Sequence, residues 1–89
     1  MKIDPNLWNR LLKASVSYEK VETYVNIIED LKKKGWTQQD VYDLFHELLK
    51  YVMDNGTIEQ DDAVRNVMDR IVGWCKENYW LFDEYLDTK

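Results

Sequence analysis

Residues that interrupt regular structure are scarce in this chain: the one proline is Pro5, and the glycines are Gly35, Gly56 and Gly73. An all-β domain needs a turn signal about every 8–12 residues, usually written in Gly, Pro, Asn or Asp. The chain does not supply them at that frequency. Its breakers instead sit beside helix start and stop signals.

Asp4-Pro5 reads as an N-cap followed by proline at the first helical position, where the missing N–H costs nothing. A short helix is expected over 5–13, with Leu7, Trp8, Leu11 and Leu12 at helical spacing. Ser15 or Ser17 then caps a second helix over 18–34, whose stripe is Val21, Tyr24, Val25, Ile28 and Leu31. Lys32, Lys33 and Lys34 crowd its last turn, where the helix dipole favours cations, and Gly35 suits the left-handed C′ position.

Thr37 opens a third helix, with Asp40 in the first turn and Trp36 before the cap as a staple for Val41. Val41, Leu44, Phe45, Leu48 and Val52 form its stripe, and Asp54-Asn55-Gly56 ends it. Thr57 and Gln60 make a capping box for a fourth helix, with Glu59, Asp61 and Asp62 at its positive end. Val64, Val67, Met68, Ile71 and Cys75 continue the pattern past Gly73, which falls inside it and is expected to cost about 1 kcal/mol relative to alanine. The aromatic and acidic tail from Asn78 reads as a last helical turn or two folded back over the bundle.

The three longer helices, of about 17, 17 and 20 residues, are ordinary for globular proteins. Short connections force antiparallel neighbours. The fold expected is all-α: a compact antiparallel helical bundle of one short and three longer helices with a short aromatic C-terminal extension. Apolar residues are 45% of the chain, enough to build one core, and 89 residues fill a single domain, 1–89.

Several chemistries are disfavoured. One histidine and one cysteine preclude a His-rich metal site and an internal disulfide. Asp54, Asn55 and Glu59 lack the alternating oxygen ligands of a calcium loop, so no metal or cofactor is expected. No Gly-rich phosphate loop, Ser-His-Asp order or Cys-x-x-Cys is present, and the chain reads as a non-enzyme. His46, near Tyr42, Leu49 and Met53 at helical spacing, reads as a boundary residue. Cys75 reads as a buried, reduced thiol, which points to the cytoplasm. No secretory signal opens the sequence, and no run of apolar residues is long enough to span a membrane. Residues 35–52 resemble a helix-turn-helix only superficially: Asp40, Asp43 and Glu47 would face the phosphates, and no arginine is at hand to read guanine.

The formal net charge is −5, and it is unevenly placed: residues 1–34 carry +2 and residues 35–89 carry −7. Solubility alone favours such a surface, but it also steers a basic partner. Aromatics make up 13% of the chain, more than a small interior readily hides. Tyr and Trp are also the residues enriched at interface hot spots. In the tail, Tyr79, Trp80, Phe82 and Tyr85 lie among Glu77, Asp83, Glu84 and Asp87.

A small acidic helical chain with an aromatic and acidic surface resembles the immunity proteins of bacterial toxin systems, and also some phage-encoded anti-defence inhibitors. The stretch from Asp61 through Met68 and Gly73 to Cys75 is similar to C-terminal segments of short immunity-like bacterial proteins. The resemblance implies a stoichiometric protein inhibitor; no residue role is carried over from it. The expected partner is a basic protein, such as a nuclease toxin, rather than nucleic acid or membrane. Asp40, Asp43, Glu47, Asp61, Asp62, Asp83 and Glu84 would supply charge, and Tyr42, Tyr79, Trp80 and Tyr85 anchors. A scaffold subunit that forms a homodimer through the aromatic tail is the alternative.

Overall fold

The computed structural model describes residues 4–73 and 80–82. Within them the chain forms α1 (Pro5–Ser15), α2 (Lys20–Lys33), α3 (Gln38–Asn55) and α4 (Ile58–Val72), and no strand. Three starts follow from local side-chain chemistry. The Asp4 carboxylate accepts the Asn6 N–H at 2.7 Å, with Pro5 in the first turn. At α3, Thr37 Oγ1 accepts the Asp40 N–H and the Asp40 carboxylate accepts the Thr37 N–H, at 3.1 and 3.2 Å. At α4, Thr57 and Gln60 make the same reciprocal pair, at 3.2 and 2.7 Å. Each box satisfies N–H groups that a helix end otherwise leaves open.

The start of α2 departs from the sequence reading. Neither Ser15 nor Ser17 caps it; it begins at Lys20, and its N-cap, Glu19, makes no side-chain capping bond. Ser15 belongs to α1, two residues beyond the expected end at Lys13, and its hydroxyl donates to the Leu12 carbonyl at 2.6 Å. The Ser17 hydroxyl likewise donates back to the Ala14 carbonyl at 2.9 Å. Serine serves either a helix start or an open carbonyl behind it, and here the carbonyls win. The buried face of α2 also shifts: Tyr24, Ile27, Ile28 and Leu31 are buried, whereas Val21 and Val25 are half-buried.

Helix α2 ends as the sequence indicates. Gly35 has φ +90°, its N–H reaches the Lys32 carbonyl at 3.0 Å, and the Trp36 N–H reaches Leu31 at 3.1 Å. This is the double closure of a Schellman motif, with half-buried Trp36 packing on the core beyond it.

Gly73 reverses an expectation. It does not lie inside α4 but stops it, with φ +90° and its N–H on the Asp69 carbonyl at 3.0 Å. Two neighbouring end carbonyls are taken by distant groups: Arg70 by the Leu81 N–H at 3.0 Å, and Ile71 by the Gln38 side-chain amide at 2.8 Å. Within a helix, Gly73→Ala would stabilise. At a left-handed position it destabilises, by about 1–2 kcal/mol. Urea denaturation of the two proteins decides the sign.

Helices α3 and α4 pack most extensively on each other, and α2 packs on α4 and α1. Both hairpins are antiparallel. Only residues 16–19 join α1 to α2, and Arg10 midway along α1 pairs with Asp30 near the end of α2 at 3.1 Å, while Gln38 at the start of α3 reaches Ile71 at the end of α4. The expected stripe of α3 is buried in full, joined by Leu49. Val64, Val67, Met68 and Ile71 of α4 are buried as expected, with Ala63 and Val72 added. At the centre, Tyr24 and Phe45 meet edge to face, with ring centroids 5.4 Å apart.

The described part of the tail is Trp80–Phe82. It folds back over the bundle, as expected, but not as a helix. Leu81 enters the core, its carbonyl accepts the Lys32 ammonium at 2.6 Å, and that ammonium lies 5.1 Å from the centre of the Phe82 ring. Cys75 lies outside the described residues.

Candidate functional site

The exposed surface of α3 and α4 follows from the antiparallel hairpin. Asn55-Gly56-Thr57 reverses the chain so tightly that a Cβ on Gly56 would lie 2.9 Å from the Val52 carbonyl oxygen. With α4 laid back along α3, the row Tyr42, His46, Leu49, Met53 on α3 faces the row Ile58, Arg65, Asp69, Val72 on α4. Between them runs a seam. Its wider part, about 450 Å³, is lined by Tyr42, His46 and Leu49 on one side and by Arg65, Met68, Asp69 and Val72 on the other. A smaller dimple of about 250 Å³ continues it past Val52, Met53 and Ile58.

Arg65 divides the two hollows. Its guanidinium bonds the Asp61 carboxylate one turn earlier, and its far nitrogen lies 3.9 Å from the Met53 sulfur. The Asp61 hydrogen bond and charge hold Arg65 even more firmly protonated than usual. The floor is apolar: Leu49, Met68 and Val72 are buried or nearly so. Toward the chain reversal it opens onto Met53 and Ile58, 61% and 81% exposed. On the α3 wall, the Tyr42 and His46 rings stack with centroids 6.0 Å apart.

Asp69 lines the wider hollow and Asp61 the smaller one, and further carboxylates lie on the same two helices. On α3, Asp43, Glu47 and Asp54 are exposed. Asp43 accepts a bond from Gln39 at 2.8 Å, and Glu47 pairs with Lys50 three residues on at 3.1 Å. Helix α4 carries Glu59, Asp61, Asp62 and Asp69. Partial burial raises the Asp69 pKa, so its charge is held at the expense of solvation. Asp54, Glu59 and Asp62 make no hydrogen bond or ion pair among the described residues. From 38 to 72, eight carboxylates face three cationic side chains.

The residues singled out from sequence therefore divide. Tyr42 lines the wider hollow and Asp61 the smaller one, whereas Asp43, Glu47 and Asp62 are exposed on the same two helices without lining either. Asp40 is half-buried and its carboxylate is taken by the α3 capping box, so it is structural first. Trp80 is half-buried at the far end of α4, beside the Leu81 clasp. Tyr79, Asp83, Glu84 and Tyr85 lie outside the described residues. Sequence reasoning missed Arg65, Asp69, Met53 and Ile58. Their signal was present: 58, 61, 65, 69 and 72 recur at helical spacing, as do 42, 46, 49 and 53. Combining those rows with the antiparallel turn would have brought them face to face.

Among the described residues, no group of His, Cys, Asp and Glu side chains is placed to hold a metal ion, and no helix is long and apolar enough to cross a membrane. Comparison with protein-family models, curated proteins and solved structures returned no match.

Proposed function

We propose that the protein is a non-enzymatic, immunity-type inhibitor that binds and covers a basic protein, such as a nuclease toxin or a nucleic-acid-handling effector. The observation that carries this reading is the seam between α3 and α4, where Asp61 and Asp69 stand among apolar and aromatic side chains and further carboxylates are exposed on both helices. An interface core is typically apolar and aromatic, inside a polar rim. Here the rim carries mainly one sign of charge. Rim carboxylates would draw a cationic groove into register, and Tyr42 with its apolar neighbours would supply contact area once water is excluded. Phage anti-defence inhibition is the same physical act on a different target. The scaffold alternative relies on the aromatic tail, but Leu81 and Phe82 pack on the core, which favours the inhibitor.

The test mixes the purified protein with a panel of purified basic nuclease domains and measures residual activity and association rate as salt is raised. The reading expects at least one nuclease to be silenced at equimolar ratio. Its association rate should fall more than about tenfold from low to high salt, with a much smaller change in dissociation. No inhibition across the panel, or association indifferent to salt, contradicts it.

A further inference from the structure

We propose that the α3/α4 seam is a seat for a helix, and that the element it takes from its partner is a basic amphipathic helix. The proposal rests on the reading of the protein as a binder of basic partners and adds which surface is used and which structural element it recognises. Three observations lead there. The seam lies between two antiparallel helices and follows their axis, from Tyr42 and Val72 at one end to Met53 and Ile58 at the other. A furrow of this shape receives a third helix through anchors spaced i, i+3, i+4 and i+7, whereas strand addition needs a sheet edge, and the described residues form none. From Ile58 to Val72 the wall is about 21 Å long at the helical rise, a match for about 15 residues of bound helix.

Second, two large apolar side chains at one end are left uncovered: Ile58 is 81% exposed and Met53 61%. Ile58 stands in the first turn of α4, where nothing in the cap requires an apolar residue. Methionine beside such a furrow adapts to varied apolar anchors. Third, the two sides fix the sign of the occupant. Asp69 and Asp61 line the hollows, Asp43, Glu47, Asp54, Glu59 and Asp62 are exposed on the same two helices, and Lys50 and Arg65 are each already paired with a carboxylate. A bound helix would lay its apolar face on Leu49, Met53, Ile58 and Met68 and extend lysine or arginine to both sides. An acidic helix would meet repulsion along its whole length.

The test uses a synthetic amphipathic peptide of leucine and lysine, about 15 residues long to match the wall. Two controls accompany it: a scramble of the same composition with no apolar face, and a version with glutamate for lysine. Affinity is read by fluorescence anisotropy, and the site by amide chemical-shift changes on the full chain. The amphipathic basic peptide should bind, with shifts along 42–53 and 58–72, and both controls should bind at least about tenfold more weakly. Tyr42→Ala and Ile58→Asp should each weaken it by about fivefold or more. Ile58 is exposed and Tyr42 is half-buried against the core, so circular dichroism verifies that each variant remains folded. Equal binding by the scramble, or shifts centred on α1 and α2, overturns the proposal. Should the peptide fail while a basic nuclease is still silenced, the helix seat is wrong and the inhibitor reading stands. Should the peptide bind in the seam while no nuclease is silenced, the seat stands and the inhibitor reading falls.

Discussion

Phe45→Ala is expected to lower the unfolding free energy by about 3–5 kcal/mol, the usual cost of emptying a buried aromatic site. Phe45 is fully buried in the middle of α3 and meets Tyr24 of α2 edge to face. The void would open between α2 and α3 beside Tyr24, where surrounding side chains relax only in part. A domain of this length typically holds a total stability of roughly 4–13 kcal/mol, so the variant would lose much of its margin. Chemical denaturation at neutral pH provides the measurement.

Its neighbour behaves in the opposite sense. The Tyr24 hydroxyl is buried with no hydrogen-bond partner among the described residues. Burial pushes its pKa up to about 12, and the nearby Ser15 hydroxyl, which donates to Leu12, opposes this only in part. Tyr24→Phe removes an unpaired polar group and should stabilise by about 1 kcal/mol. The raised pKa also sets a sign. Between about 10 and 12 the folded protein keeps a proton that the unfolded chain has lost, so stability falls as pH rises through that window. The wild-type protein should show this loss and Tyr24→Phe should not, a difference read by denaturation at pH values on either side of 10.

The second large effect concerns association. Replacing Asp43, Glu47 and Asp62 with lysine takes the formal net charge from −5 to +1. All three are exposed, and such surface changes usually alter stability by no more than about 0.5 kcal/mol each. The association rate with a basic partner at low salt should nevertheless drop by about 10- to 1,000-fold, because the reversed rim repels what it previously steered. Near-normal association by the triple variant would place the interface elsewhere.

How much of this could be read in advance depends on how local each determinant is. The Thr37 cap, the Thr57–Gln60 box, the Asp4-Pro5 start and the Gly35 stop are each settled within a few residues, and each was legible, although Asp40 was read only as first-turn charge and not as the returning half of a box. The end of α4 was not. Gly73 fits a helix interior or a C′ position equally well, and what accompanies the stop is distant: Leu81 on the Arg70 carbonyl and Gln38 on that of Ile71. The start of α2 was misread because serine offers both a cap and a back-bond, and sequence does not say which neighbour needs it more. The candidate surface was half legible for the same reason. Asp43, Glu47, Asp61 and Asp62 stood out by charge. Arg65 and Asp69 acquire meaning only once α4 is folded against α3.

A basic partner seated on the α3/α4 seam is detected by amide hydrogen exchange of the protein alone and bound to a basic nuclease that it silences. Slowed exchange is expected to be confined to residues 42–54 and 58–70, with α1 and the outer face of α2 unchanged. Protection centred on α1 and α2, with the seam exchanging as in the free protein, would contradict it.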